Sequence, residues 1–285
     1  MWPLDPPSHS AGDSWETCTS LSRDTENNGN LGTRLREAVG IARAAADALR
    51  AAAESRNLHN LDPADFKIEN IADKTVTDIA YVSGMTKGPG RIIYDTLMAA
   101  PEDELCPLCR HSDVSQLDHV MPKADYPALC VAPQNLVPVC GICNHTKSNQ
   151  TSREANKVLL HPYFEHTDTA SWLHAEVTPG SGGRLRYFAA APPHWDRVFA
   201  DRVQYQFDFL GLGKRYSSKA NQTLNGMRYL FTQHLSPTSS IDLRTHLEGL
   251  ATSHLRDDLN NWTGVAYRAW AADDAFCEGS FVPPP

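Results

Sequence analysis

The 285-residue sequence predicts an α+β protein, and three observations predict it. Apolar residues recur every three or four positions through much of 34–100 and 196–275, the period of amphipathic helices. Two alternating runs flank the turn Pro179-Gly180-Ser181-Gly182-Gly183, the pattern of a β-hairpin. Between these stretches stand two C-x-x-C pairs, Cys106/Cys109 and Cys140/Cys143.

Residues 1–33 are rich in Ser, Pro, Asn, Asp and Gly without sustained period, and read as a disordered tail. From Thr33 the pattern changes. Leu35, Val39, Ala42, Ala46, Leu49 and Ala53 trace an alanine-rich helix ending near Arg56, with an apolar stripe narrow enough to require close packing on another helix. Val76, Ile79 and Ala80, then Ile92, Ile93, Leu97 and Met98, mark two shorter helices interrupted at Gly88-Pro89-Gly90. Residues 34–100 are therefore a helical N-terminal region, followed by the cysteine-bearing module, 101–165. In the C-terminal domain, 166–285, residues 172–177 and 184–188 form the hairpin. Two helices broken at Gly211–Gly213 follow over 196–235, and a further pair fills 240–275.

A hydrophobic fraction of 41% excludes wholesale disorder, and no run reaches the roughly eighteen apolar residues of a membrane span. Met1-Trp2-Pro3-Leu4-Asp5 lacks the basic and apolar regions of a signal peptide, so the expected location is cytoplasmic. In such a chain, paired cysteines favour a metal over a disulfide framework. Cys18, Cys130 and Cys277 are left over and read as small buried hydrophobes or inert thiols. The net charge of −8 argues against non-specific coating of nucleic acid. Residues 184–228 nevertheless carry eight Lys and Arg against three Asp, interleaved with Tyr187, Tyr205 and Tyr216. That is the make-up of a nucleic-acid face, with Lys214 and Arg215 as candidate contacts.

The chemistry concentrates in 106–147. Two pairs of thiolates supply the four soft ligands of a closed tetrahedral Zn²⁺ site, expected to be structural. The thirty residues between Cys109 and Cys140 exceed the roughly 15–20 of a plain zinc ribbon, so the spacer holds more than a turn. It holds Asp118-His119 at the end of an alternating run and Asn135 before a short apolar strand, with Asn144 directly after the last cysteine and Lys147 three residues on.

In this order, these residues resemble the HNH endonuclease family in its zinc-bearing form. The resemblance covers only about residues 103–150. It implies a ββα-metal finger, in which a hairpin precedes a helix, and a phosphodiester hydrolase. The third family position, often His, is Asn144 here, and His145 lies roughly 100° further around the helix. By this resemblance His119 is the general base, and Asp118 and Asn144 hold a catalytic Mg²⁺ or Mn²⁺. Asn135 braces the loop, Lys147 reaches the phosphate backbone, and the zinc holds the two halves of the site together. DNA is the favoured substrate. A single finger cuts one strand, so duplex cleavage by two copies makes a homo-oligomer the matching expectation. Pro122-Lys123 and Tyr126-Pro127 are also similar to HNH subunits that accompany ATPases in bacterial anti-phage systems, which implies a role in defence and a partner ATPase. The competing reading is a non-catalytic, zinc-stabilised protein that binds nucleic acid or serves as a scaffold, with 184–228 as its working surface.

Overall fold

Alanine forms helix readily and adds little bulk, so a helix lined with it lets a neighbour approach closely. The neighbour lies within the supposed tail. In the computed structural model, which describes residues 2–236 and 241–282, helix α1 (Ala11–Thr19) begins at a Ser10 cap whose hydroxyl accepts from the Asp13 amide at 3.0 Å. The expected disordered tail is thus folded over this stretch. Trp15 is fully buried with its indole N–H donating to the Leu35 carbonyl at 2.7 Å, and the Ser14 hydroxyl donates to the Val131 carbonyl at 2.6 Å. Ala11, Trp15 and Cys18, spaced four and three apart, form a short apolar face that the polar composition around them conceals.

Helices α2 (Leu31–Glu37) and α3 (Val39–Glu54) divide the predicted alanine-rich helix in two, and α1 packs on α3, whose buried face includes Ala42, Ala46 and Leu49. The short α4 (Asp73–Val76) runs on into a π-helical stretch, Thr77–Thr86, and α5 (Arg91–Met98) follows. Gly84 lets that stretch lie against α1, because a Cβ there would fall 2.0 Å from the Cys18 carbonyl oxygen. Burial pushes the Cys18 thiol up to about 12, so it is un-ionised at neutral pH.

Strand β1 (Gln116–His119) pairs antiparallel with β2 (Leu136–Val139), Asp118 opposite Val137 and His119 opposite Leu136; helix α6 (Gly141–Lys147) follows at once. These elements belong to one compact unit, Met1–His166.

The second unit, Thr167–Pro285, holds the predicted hairpin as β3 (Leu173–Val177) and β4 (Leu185–Ala189), with Val177 opposite Leu185. Helices α7 (Arg197–Phe209) and α8 (Leu212–Gln233) meet at Gly211, whose φ of 62° turns the chain. Helices α9 (Leu243–Leu255), α10 (Trp262–Ala272) and α11 (Asp274–Cys277) complete the unit; residue 240, where the last predicted pair starts, lies outside the described residues. Phe231, Trp270, Phe276 and Phe281 form its aromatic centre, with ring separations of 4.6–6.3 Å. Among the described residues the chain is thus mixed helix and sheet with two small hairpins. Among the described residues no helix is long and apolar enough to cross a membrane.

Candidate metal centre and adjoining pocket

The first C-x-x-C pair precedes β1 and the second opens α6, where the Cys140 sulfur caps the helix by accepting from the Cys143 amide at 3.4 Å. All four cysteines are buried, and their Sγ atoms lie within 4.8 Å of one another, Cys109 and Cys140 at 3.9 Å. Tetrahedral thiolates about 2.3 Å from a zinc ion stand roughly 3.8 Å apart. The donor set and its spacing therefore fit a soft ion such as Zn²⁺, which would tie the approach to β1 to the start of α6.

Beside this cluster, a pocket of about 270 Å³ is lined by Asp118, His119, Pro122, Lys123, Asn144 and His145, among others. Three residues proposed from sequence for the catalytic site, 118, 119 and 144, thus share one cavity. His145 joins them there despite its rotation around the helix.

The His119 ring is fixed from two sides. Its Nε2 lies 2.8 Å from the Cys130 carbonyl oxygen. A carbonyl can only accept, so Nε2 carries the proton and Nδ1 keeps its lone pair. Tyr81, from the π-helical stretch, packs edge-on against the imidazole with ring centroids 4.5 Å apart, and the Lys123 ammonium lies 5.2 Å from the Tyr81 ring centroid. Sequence reading missed Tyr81. The only signal was a tyrosine inside an apolar helical stretch, and nothing local indicates that this stretch reaches the pocket.

Asn135 is fully buried and clamps the loop between the strands. Its Oδ1 accepts from the Met121 amide at 2.7 Å, and its Nδ2 donates to the carbonyls of Met121 and Leu129 at 3.0 and 3.2 Å. Leu129 precedes Cys130, so the amide that braces the loop also sets the carbonyl that aims His119. Asn135→Ala should destabilise the first unit by about 3 kcal/mol, three buried bonds at roughly 1 kcal/mol each, as read from denaturant midpoints. An unchanged midpoint would remove the brace from the account.

Lys147 corrects the sequence reading. Neither solvated nor free for phosphate, it is 5% exposed, and its ammonium contacts both carboxylate oxygens of Asp118 at 3.2 and 3.0 Å and the His119 carbonyl at 2.6 Å. A cation this deep requires a partner, and the buried carboxylate on β1 is the one within reach. Burial pushes the Asp118 carboxyl above the usual carboxylate range, while Lys147 pulls the other way. Asp118 still lines the pocket beside Asn144. Together they offer hard oxygen donors for a divalent cation, at a carboxylate whose charge Lys147 already offsets.

Burial, reinforced by the Lys123 charge, drives His119 from 6.5 down to about 3, so the folded protein holds the imidazole neutral. A folded-state value below the unfolded one means that the unfolded chain binds the extra proton. Stability contributed by His119 is present above pH 6.5 and lost as pH falls from there toward 3. Between pH 7.5 and 5.5 the protein should lose about 1.4 kcal/mol that a His119→Gln variant does not lose. Parallel pH–stability curves for the two would contradict the neutral buried ring.

The supposed nucleic-acid face in 184–228 is less uniform than its charge. Arg186 pairs with Glu176 at 2.8 Å, Arg197 approaches Asp201 at 4.0 Å, and Arg202, Tyr187 and Tyr216 are buried. Lys214 is exposed beside Arg186 and Asp208, whereas Arg215 is half-buried with its Nε enclosed. Of the two candidate contacts, Lys214 is therefore the more exposed.

The chain is 25% identical over 241 residues to protein ea31 of Escherichia phage lambda, an alignment that covers 78% of this chain and 79% of the phage protein. No family model matches the chain, and no solved structure matches it.

Proposed function

We propose that this chain is a metal-dependent endonuclease of the HNH kind that hydrolyses phosphodiester bonds, DNA being the favoured substrate. The supporting observation is the gathering of His119, Asp118 and Asn144 around one pocket on an antiparallel hairpin and the helix after it, next to four clustered cysteines. In this reading the Nδ1 lone pair of His119 accepts a proton from the attacking water. The Cys130 carbonyl and the Tyr81 ring keep the imidazole from turning away. Lys123 lines the pocket and supplies positive charge for a phosphate oxygen. Burial is the larger cause of the low basicity of His119, and a phosphate beside it would counter the smaller part that comes from the Lys123 charge. Asp118 and Asn144 would hold Mg²⁺ or Mn²⁺, which when bound supplies charge stabilisation for the pentavalent phosphorus and the departing oxygen. Lys147 acts from behind, holding the Asp118 carboxylate in place.

Incubating the purified chain with supercoiled plasmid and Mg²⁺, Mn²⁺ or no added metal tests the proposal. Nicking or linearisation that depends on the divalent ion is expected. A retarded but uncut plasmid would replace the enzyme with the non-catalytic binder.

A further inference from the structure

The second unit carries a separate cavity of about 440 Å³ between the β3–β4 turn, one face of α8 and the segment near Phe281. Asn221, Asn225 and Arg228, spaced four and three apart, lie on one face of α8 and line it, with Arg184 and Ser181 from the turn. None of the described residues lining it is acidic, in a chain whose net charge is −8. Two guanidinium groups thus face one cavity with no carboxylate in its wall.

The cavity walls are held in place. Gly183, at φ 90°, leaves no room for a side chain, because a Cβ would fall 2.6 Å from the Phe276 ring, and its carbonyl accepts from the Trp270 indole at 2.8 Å. The turn is thereby fastened to the aromatic centre. Arg228 donates to the Phe281 carbonyl and, at 3.2 Å, to Asn225 Oδ1, which orients its guanidinium and leaves other N–H groups available. Arg184 is exposed and has no carboxylate partner among the described residues. Asn221, Leu224 and Asn225 of α8 complete a wall that carries amide and apolar surface beside the two guanidinium groups.

We propose that this cavity is a binding site for a nucleoside phosphate. Arg184 and Arg228 take the phosphate, and the rest of the cavity of about 440 Å³, walled by Asn221, Leu224 and Asn225, takes the nucleoside. Arginine pairs favour phosphate because their planar N–H groups meet its oxygens two at a time. The phosphate belongs either to a free nucleotide or to the 5′ end of a strand. The site is independent of the nuclease reading.

Titration of the full chain with AMP, adenosine and inorganic phosphate, followed by calorimetry and amide chemical shifts, tests it. AMP should bind saturably, phosphate more weakly and adenosine not at all, with shifts at Arg184 and Asn221 rather than His119. Arg184→Ala, at an exposed position, should keep the melting temperature and weaken AMP about tenfold. A 5′-phosphorylated oligonucleotide that displaces AMP where its 5′-hydroxyl twin does not identifies a strand end as the ligand; if neither displaces it, the ligand is a free nucleotide. Adenosine binding as well as AMP, or Arg184→Ala titrating like the parent, would overturn the proposal.

Discussion

Cys140→Ser should cost the protein its bound metal and unfold the first unit while the second keeps its own melting transition. Residues 106–147 contain two four-residue strands and a seven-residue helix, too little regular structure to hold the hairpin against the helix without help. The four sulfurs join segments thirty residues apart. Structural zinc in small modules contributes apparent free energies on the order of 10 kcal/mol, and removing one of four thiolates forfeits most of it. The loss should spread beyond the module, because Ser14 on α1 and Tyr81 on the π-helical stretch both rest on it. Metal analysis with thermal unfolding monitored by tryptophan fluorescence measures this. A variant that keeps both its metal and its first transition would show that the cluster is only a packed set of thiols.

On the proposed nuclease reading, His119→Gln should lower plasmid cleavage by a factor of about 10² to 10⁴, the usual contribution of a positioned general base. Glutamine retains an N–H able to reach the Cys130 carbonyl but offers no basic nitrogen, so metal content and the melting temperature at pH 7.5 should stay near those of the parent. Keeping both while losing turnover assigns the defect to chemistry and not to folding. Wild-type rates in the variant would refute His119 as the proposed base.

Much of the secondary structure was readable because it is encoded by local periodicity. The alanine stripe, the break at Gly88-Pro89-Gly90, the hairpin around residue 180 and the turn at Gly211 each follow from a few adjacent residues. The folded α1 escaped notice because a nine-residue helix carries only about two and a half turns of pattern, too few to stand out from a polar composition. Likewise the basic stretch 184–228 could be counted but not oriented, since charge sums are blind to which arginines meet a carboxylate or enter the core.

The spacing of the cysteines alone determined that four sulfurs could close on one ion, and the resemblance of 103–150 to the HNH family pointed to Asp118, His119, Asn135 and Asn144. Only the tertiary structure decided what surrounds them. It buried Lys147 against Asp118, brought Tyr81 from another helix onto the His119 ring, and aimed that ring through the carbonyl of Cys130. The physical reason is that ligand spacing is written in a short stretch of chain. Burial and the charge felt by a side chain depend instead on neighbours that are distant in sequence and become neighbours only on folding.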